Sequence, residues 1–311
     1  MKSKIITISL LFTTAIIWGF AFVAQFFGAS EVGPFAMNGL RFPLGTLSLL
    51  PVMLIFERKR MDAVERKKTV RSSLIIGSVL FFATTFQQIG IIITGVGVTS
   101  IITGLYTVFI PIACYVLFRH KTGLNVIVAA ILAVIGIFML CMTPGEGFSF
   151  GIGEFFALIG SFFWTAHVVL VDRLGKELRP LHLSFGQFTV CSFWCVLATV
   201  ISFRYEPFTL DSVIAAAPSI LYAGVLSVGV AYTLQVVSQR RADPTLAAII
   251  LSTESLFGAL GGALFGIDNI SPIGYFGCVI MFAGIVISQL DFAALRAKRK
   301  ATKNSSVNSN N

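Results

Sequence analysis

The sequence predicts an all-α integral membrane protein with ten transmembrane helices arranged as two inverted five-helix repeats. Composition, charge distribution and an internal repeat each support this fold class. Of the 311 residues, 56% are hydrophobic and 12% are charged, whereas soluble chains carry about 45–50% and about 25%. The mean hydropathy of +0.89 agrees with these proportions. A soluble enzyme built around one core is therefore not expected.

Ten apolar stretches approach the length of about 20 residues that a helix needs to cross a bilayer. We place the first five at 5–27, 34–56, 72–93, 98–118 and 124–141, and the second five at 153–171, 181–202, 212–237, 244–265 and 272–290. The first stretch follows Lys2 and Lys4, as in a signal peptide. However, the apolar core of a signal peptide spans only about 7–15 residues, so we interpret this stretch as a retained helix.

The positions of lysine and arginine predict the orientation. Ten crossings place both termini on one side, and 21 of the 23 Lys and Arg residues then lie on that side. Arg204 lies on the opposite side, and Arg41 lies within a predicted helix. The positive-inside rule therefore places both termini in the cytoplasm and the chain in the cell (cytoplasmic) membrane. The net charge of +9 then faces anionic lipid, and no nucleic-acid partner is expected.

The chain repeats itself after about half its length. Three matched pairs of residues recur in segments of the same order: Trp18 and Trp164 are 146 apart, Gln88 and Gln235 are 147 apart, and Gly136 and Gly284 are 148 apart. Because five crossings is an odd number, the second half enters the membrane from the opposite side. Inverted repeats of this kind are typical of alternating-access carriers with a midplane substrate site.

The repeats define the predicted domain organisation. The first repeat spans 1–147 and the second spans 148–292, each with five helices. A basic tail, 293–311, follows on the cytoplasmic side, and its polar, low-complexity end predicts disorder.

Four predicted helices contain distinctive local motifs: Trp18-Gly19, Asn38-Gly39-Leu40-Arg41-Phe42, Phe109-Ile110-Pro111 and Glu254-Ser255-Leu256-Phe257-Gly258. These motifs resemble those of EamA-type transporters in the drug/metabolite transporter superfamily, and the resemblance covers about residues 5–290. It implies a transporter fold and export of a metabolite, without naming the solute.

The chain also departs from the pattern of that family. Ser255 stands where the family usually has proline. The family's Leu-Gly-Glu at the ends of the fourth and ninth helices is replaced by Phe118-Arg119-His120 and by Phe265-Gly266-Ile267-Asp268.

Ionisable groups at membrane depth are costly and are therefore the first candidates for a site. Arg41 can bind a substrate carboxylate, or it can bond carbonyl groups or extend to the interface. Glu254 can bind a substrate amine or a coupling proton, or it can be a neutral acid between helices; its counterpart in the first repeat is Thr107. His167 can titrate or be a satisfied bundle histidine. We interpret Glu154 as a helix cap.

Polar and aromatic side chains complete the predicted transport site. They supply hydrogen-bonding edges and aromatic walls: Trp18, Asn38, Gln87, Gln88, Tyr106, Trp164, Tyr232 and Gln235. A separate set on the ninth helix, Gly258, Gly262 and Gly266, is spaced by four and predicts a smooth face for close helix packing.

Motifs for enzyme chemistry are missing. The sequence contains no P-loop, no His-Glu-x-x-His and no Gly-x-Ser-x-Gly. Its three histidines are scattered, and its five cysteines lie in apolar segments without Cys-x-x-Cys spacing. We therefore expect neither an enzyme, nor a metal site, nor a cofactor.

The leading expectation is a secondary transporter for a small organic solute in the lipid bilayer. One intramembrane cation, one acid and several amides suit an amino acid or a related amphipathic zwitterion better than a polyanion. A coupling proton is suggested by Glu254 and His167. Three alternatives stay open: an uptake carrier for a vitamin or nucleobase, a channel, and a lipid-modifying enzyme. The substrate, the coupling ion and the oligomeric state do not follow from the sequence.

Overall fold

The computed structural model describes residues 2–58, 60–119, 123–143, 147–239, 244–268 and 270–288. The predicted tail, 293–311, lies outside the described residues. The first half contains six helices and ends in two short antiparallel strands, as follows: α1 (Lys2–Val32), α2 (Pro34–Phe56), α3 (Ala63–Thr94), α4 (Val96–Gly104), α5 (Tyr106–Phe118), α6 (Leu124–Leu140), β1 (Met142–Thr143) and β2 (Gly147–Phe148).

The second half repeats this order, with an additional irregularity in its third helical rod. Its elements are α7 (Ile152–Gly175), α8 (Pro180–Ser202), α9 (Leu210–Leu221), a π-helix (Tyr222–Ala231), α10 (Tyr232–Gln239), α11 (Pro244–Ser252), α12 (Glu254–Leu264) and α13 (Pro272–Ser288).

Local sequence signals fix several helix starts. Pro34 and Pro180 occupy the first positions of α2 and α8, where the missing N–H of proline costs no helical hydrogen bond. Asp62 caps α3 by accepting a hydrogen bond from the Glu65 backbone N–H at 2.8 Å. Thr209 caps α9 through the Ser212 N–H at 3.2 Å. These side chains satisfy backbone donors that the first turn leaves unpaired.

Within the part of the chain that the structure describes, seven helical segments are long and apolar enough to cross a membrane: Ile5–Val32, Pro34–Phe56, Ala63–Thr94, Val96–Phe118, Ile152–Gly175, Pro180–Ser202 and Leu210–Gln235. Three shorter apolar helices are Leu124–Leu140, Ile249–Leu264 and Pro272–Ser288. Apolar side chains such as Val134 and Phe193 are exposed on the outside, as expected for surfaces that face lipid. The all-helical membrane architecture is thus confirmed, whereas the count of ten crossings stays a prediction.

The two halves pack reciprocally. Helix α2 contacts α8, α6 contacts α13, and α4 contacts α12. In the α6–α13 contact, Gly136 approaches the Gly277 carbonyl and Gly284 approaches the Ala129 carbonyl. Gly136 and Gly284 are 148 residues apart, and so are Ala129 and Gly277. Equivalent positions of α6 and α13 therefore make the same two contacts in both directions. The packing therefore has an approximate two-fold axis between the halves.

Among the described residues, three long helices are interrupted by irregular backbone. Leu105 separates α4 from α5, and Thr253 separates α11 from α12. At both points the backbone N–H bonds to the carbonyl three residues earlier, Leu105 to Ile102 and Thr253 to Ile250, each at 3.1 Å. The third interruption is the π-helix, which is ten residues long. The predicted stretches 98–118, 212–237 and 244–265 therefore contain irregular backbone.

The glycine face on α12 is shorter than predicted. Gly258 lies against Ser100, and Gly262 lies against the Gly97 backbone, so both allow α4 to approach closely. Gly266, in contrast, lies beyond the end of α12, with φ of +62° and no atom near the position of a Cβ. Its N–H bonds to the Ala263 carbonyl, and the following N–H bonds to the Gly262 carbonyl. The prediction for Gly266 was wrong, because this glycine terminates the helix in a Schellman motif.

Candidate functional site

A cavity of about 340 Å³ lies between the two halves, within the size range of small-molecule sites. Residues from α1, α2, α3, α4, α5, α7, α8, the π-helix, α10 and α12 line it. Nine of the eleven residues predicted for the transport site are in this lining: Trp18, Arg41, Gln87, Tyr106, Trp164, His167, Tyr232, Gln235 and Glu254.

Arg41 is held by its neighbour on α2. Its Nε donates to Asn38 Oδ1 at 2.9 Å, and its guanidinium lies 4.6 Å from the centre of the Phe42 ring. Asn38 itself does not line the cavity; its Nδ2 donates to the Thr84 carbonyl at 3.3 Å. Asn38 therefore orients the guanidinium and links α2 to α3, a supporting position rather than the predicted contact position.

Glu254 is the first residue of α12, directly after the interruption at Thr253. Tyr106, the first residue of α5, donates a hydrogen bond from Oη to Glu254 Oε1 at 3.4 Å. The start of a helix carries partial positive charge, which favours a carboxylate. None of the ion pairs among the described residues involves Glu254 or Arg41. The cavity thus holds one acid and one base that do not neutralise each other directly.

Trp18 connects α1 to the π-helix. Its Nε1 donates to the Ser227 carbonyl at 3.0 Å. Tyr222 donates to the Ile17 carbonyl at 3.2 Å, and Thr14 lies 3.4 Å from the Ala231 carbonyl. A π-helix displaces backbone carbonyls from their α-helical partners and often occurs at functional sites. Here its carbonyls accept from α1 side chains beside the cavity.

Trp164 and His167 lie on one face of α7. Their rings are perpendicular, at 85°, with 5.6 Å between centres. His167 Nε2 lies 2.9 Å from Gln187 Oε1. Trp164 Nε1 and His167 Nδ1 are both buried without a hydrogen-bond partner among the described residues.

Gln88 lies behind the cavity rather than in it. It is fully buried, and its Nε2 donates to the Gln25 backbone carbonyl at 3.2 Å. Gln87 lines the cavity because it lies on the neighbouring face of α3. The prediction of Gln88 as a transport-site residue is therefore wrong, because Gln88 joins α3 to α1, whereas Gln235 lines the cavity as predicted.

Sequence reasoning missed several lining residues and one supporting residue. The supporting residue is Gln187 on α8, which contacts His167. Its position could have been predicted, because an amide inside an apolar stretch is itself a signal of function. The missed polar and aromatic lining residues are Phe22, Gln25, Phe42, Thr84, Thr103, Phe188 and Ser227, and the missed aliphatic ones are Ala21, Leu80, Val168, Val171 and Val228. Threonine, serine and phenylalanine are common in membrane helices, so their sequence positions carry little information.

Glu154, which we interpret as a helix cap, lies outside the cavity and bonds to α3. Glu154 lies in the first turn of α7, where its Oε1 accepts from Thr94 Oγ1 at 2.5 Å and links α7 to the end of α3. Among the described residues, no group of three or more His, Cys, Asp and Glu side chains is placed to hold a metal ion. His120 lies outside the described residues.

Charged residues tie the α2–α3 corner to the α7–α8 corner. Arg179 Nε lies 2.9 Å from Glu65 Oε1, and His182 Nδ1 lies 2.6 Å from Glu57 Oε2. Glu57 also accepts the backbone N–H groups of Leu181 and His182, at 3.2 and 3.0 Å. These two pairs, which we call the corner clamp, are largely buried.

The opposite end of the bundle has a different link. Asp268, in the turn after α12, accepts the Gly97 backbone N–H at 2.8 Å and so caps α4. Burial raises the pKa of Asp268 above its ordinary value, and the backbone donors of Gly97 and Val96 act in the other direction. One end of the bundle is therefore held by ion pairs between side chains, and the other by a carboxylate that caps a helix.

Known proteins resemble the chain over most of its length. An "Uncharacterized transporter" of Archaeoglobus fulgidus is 25% identical over 276 residues, which is 89% of this chain and 83% of the relative. "Uncharacterized transporter YoaV" of Bacillus subtilis is 22% identical over 291 residues, 91% of this chain and 96% of the relative. A solved structure titled "Crystal structure of protein" superposes with a TM-score of 0.60 at 18% identity, covering 94% of this chain and 98% of that one.

A family match agrees with the two-half organisation. The EamA-like transporter family matches the chain twice, over residues 5–142 and 151–290. The expected resemblance to this family is thereby confirmed, and the family and the names of the relatives point to a membrane transporter. Because this family model covers both halves of the helical bundle that encloses the central cavity, the chain belongs to the EamA-like transporter family.

Proposed function

We propose that the protein is a secondary transporter that exports a small zwitterionic metabolite, an amino acid or a related amphipathic solute, across the cytoplasmic membrane. Transport occurs by alternating access between two inverted repeats, 1–147 and 148–292, with ten crossings and both termini in the cytoplasm. The proposal extends the family assignment to a substrate class, a direction and a mechanism.

One observation supports a zwitterionic substrate. The cavity contains Arg41 and Glu254, and neither forms an ion pair with any of the described residues. A buried charge is stable only when it is paired or hydrogen bonded. A zwitterion supplies a carboxylate for Arg41 and an ammonium group for Glu254. A polyanion such as a sugar phosphate would bring several negative charges to a single cation.

The lining supports a solute with an apolar part. Trp18, Trp164, Tyr106 and Phe188 provide aromatic surface beside the charged groups. Aromatic faces bury apolar groups and also attract cations. The combination fits an amphipathic zwitterion and leaves little to bind a purely hydrophilic solute.

Glu254 is the proposed coupling group. It begins α12 at an interruption between helix segments, where a carboxylate can exchange a proton and a substrate amine for one another. A carrier of this kind exports the zwitterion as a proton enters, since both ligands need the same carboxylate.

Untargeted metabolite profiling tests the substrate and the direction together. Cells overproducing the protein are compared with cells overproducing the Arg41→Gln, Glu254→Gln double variant, in medium and in cytosol. We expect an amino acid or related zwitterion to be enriched in the medium and depleted inside. Accumulation inside would reverse the direction, and an anionic or sugar-like compound would overturn the substrate class. Counterflow in proteoliposomes then separates a carrier from a channel.

A further inference from the structure

The environment of His167 determines which of its two nitrogens carries the proton. We propose that Gln187 is a positioning residue that holds His167 as the neutral Nε2–H tautomer, so that Nδ1 is a hydrogen-bond acceptor for an N–H or O–H group of the ligand. The ligand's part in this proposal rests on the proposed function, whereas the tautomer is a property of the protein alone.

Two side chains near the start of α8 meet at Tyr232. Ser184 Oγ is the donor in two contacts, to the Pro180 carbonyl at 2.5 Å and to Tyr232 Oη at 2.9 Å. Tyr232 Oη therefore acts as an acceptor on this side.

The amide of Gln187 also contacts Tyr232. Its Nε2 donates to Tyr232 Oη at 3.5 Å, so this hydroxyl oxygen accepts from both Ser184 and Gln187. The amide thus turns its NH₂ group towards Tyr232 and its oxygen towards His167.

The oriented amide then fixes the imidazole. Gln187 Oε1 accepts, so the hydrogen in the 2.9 Å contact with His167 belongs to Nε2. A neutral imidazole has one N–H, which leaves Nδ1 as a bare acceptor. This Nδ1 is buried without a partner among the described residues, on a side chain that lines the cavity.

The indole N–H of Trp164 further restricts which chemical groups of a ligand fit beside His167. Trp164 Nε1, three residues earlier on the same face, also lacks a partner among the described residues. A hydroxyl or a carboxamide supplies both a hydrogen for His167 and a lone pair for Trp164. An unsatisfied buried acceptor penalises a ligand that offers only methylene groups. The pair therefore selects for a polar group on the substrate and assigns His167 a binding role instead of proton coupling.

Nitrogen NMR on ¹⁵N-histidine protein in nanodiscs tests the tautomer without any substrate. The His120→Gln background leaves two histidines, and protonated and bare ring nitrogens have distinct shifts and couplings. We expect a protonated Nε2 and a bare Nδ1 for His167, and a mixture of tautomers in Gln187→Met. The His182 signals should be unchanged in that variant, because its Nδ1 contacts Glu57 at a distance from the site. A protonated Nδ1 or an imidazolium at His167 would overturn the positioning role.

Two amino-acid probes test the ligand's part. L-Glutamine carries a carboxamide, and L-norleucine has a similar length without one. We expect both to stabilise the protein against heat and only L-glutamine to shift the bare Nδ1 signal. Equal shifts from two bound probes would overturn the polar-group selection. If neither probe binds, the proposed substrate class fails, while the tautomer measurement still decides the role of Gln187.

Discussion

Tyr106 and Glu254, 148 residues apart, begin the second parts of two interrupted helices and hydrogen bond to each other at 3.4 Å. The interruptions before them, at Leu105 and Thr253, have the same spacing and the same backbone hydrogen-bond pattern. Equivalent points of the two halves therefore meet at the approximate two-fold axis, and the counterpart of Glu254 is Tyr106 rather than the predicted Thr107. Their side chains differ, so the meeting point carries one acid rather than two. Interrupted helices of this kind hold substrate and coupling ions in transporters with inverted repeats.

The Glu254→Gln variant should lose coupled transport. The amide keeps the size of the side chain but removes the negative charge that binds an ammonium group or a proton. Hydrogen bonds to charged groups contribute about 1.5–3 kcal/mol, so we expect substrate affinity to fall roughly 10- to 150-fold. We also expect the response of flux to an imposed pH gradient to disappear. Uptake into proteoliposomes at a series of external pH values measures both effects.

Tyr106→Phe is the matched control for that variant. It removes only the hydroxyl that donates to Glu254 and keeps the aromatic wall. This hydrogen bond is long, at 3.4 Å between the two oxygens, and therefore weak. We assign it about 0.5–1.5 kcal/mol, so a roughly 2- to 10-fold loss of affinity is expected with pH coupling retained. If Glu254→Gln kept a full pH response, Glu254 would not be the coupling group.

Arg41 should distinguish substrates with a carboxylate from those without. In Arg41→Lys the charge remains, but the planar group that bonds Asn38 and faces Phe42 is lost, and lysine does not replace bidentate recognition. We expect the KM for the zwitterion to rise by about 10-fold or more. The ester of the same substrate, which lacks a carboxylate, should bind wild type and variant equally. A loss of the same size for the ester would indicate a structural role for Arg41.

The helical segments were predictable because each apolar stretch is bounded by charge, proline or glycine. The interruptions at Leu105 and Thr253 were not, since neither residue breaks helices and the irregularity depends on packing between the halves. Gly266 shows the opposite case. A glycine followed by an apolar residue, here Ile267, is the usual signal of a helix end. The four-residue spacing of Gly258, Gly262 and Gly266 instead suggested a continuous helix face and concealed this signal.

The site was predictable only from residue types that are rare in membrane helices. Arg41, Glu254 and His167 are costly at membrane depth, and all three line the cavity. The choice between the adjacent Gln87 and Gln88 could not be made, because neighbouring residues on a helix point about 100° apart and the rotation of α3 is fixed by α7 and α8.

Close packing of α12 on α4 should be sensitive to volume at one position. Gly258 is buried against Ser100, so Gly258→Val overpacks the contact. The expected cost in unfolding free energy is about 1–3 kcal/mol, measured by titration with sodium dodecyl sulfate. Leu260→Val, on the same helix but 47% exposed, should change the value by less than about 0.5 kcal/mol. Equal effects would show that α12 does not depend on this contact.

Cysteine labelling tests the proposed orientation. Lys176 and Tyr205 are exposed at opposite ends of α8 and its flanking turns, with Tyr205 80% exposed. In a variant without the five native cysteines, an impermeant maleimide added to intact cells should label Tyr205→Cys and not Lys176→Cys. Inside-out vesicles should give the reverse result. Labelling of Lys176→Cys in intact cells would refute cytoplasmic termini.

The corner clamp should control access from the cytoplasm. Its Arg179–Glu65 pair has side chains only 28% and 22% exposed, whereas the neighbouring Lys68–Glu177 pair is 60% and 84% exposed. Breaking the buried pair in Glu65→Gln should destabilise the state closed at this end, because the attraction between the Arg179 guanidinium and the Glu65 carboxylate is lost. Breaking the exposed pair in Glu177→Gln should have almost no effect, since solvent screens it.

A cysteine at Val171, which lines the cavity on α7, reports that access. In inside-out vesicles we expect maleimide to react with Val171→Cys about 2- to 10-fold faster in the Glu65→Gln background and at an unchanged rate in the Glu177→Gln background. The charge exchange Glu65→Arg with Arg179→Glu should restore the slow rate, because the pair re-forms with opposite signs. A fast rate in both single backgrounds, without restoration by the exchange, would mean that general loosening of the corner, and not the buried ion pair, governs entry to the cavity.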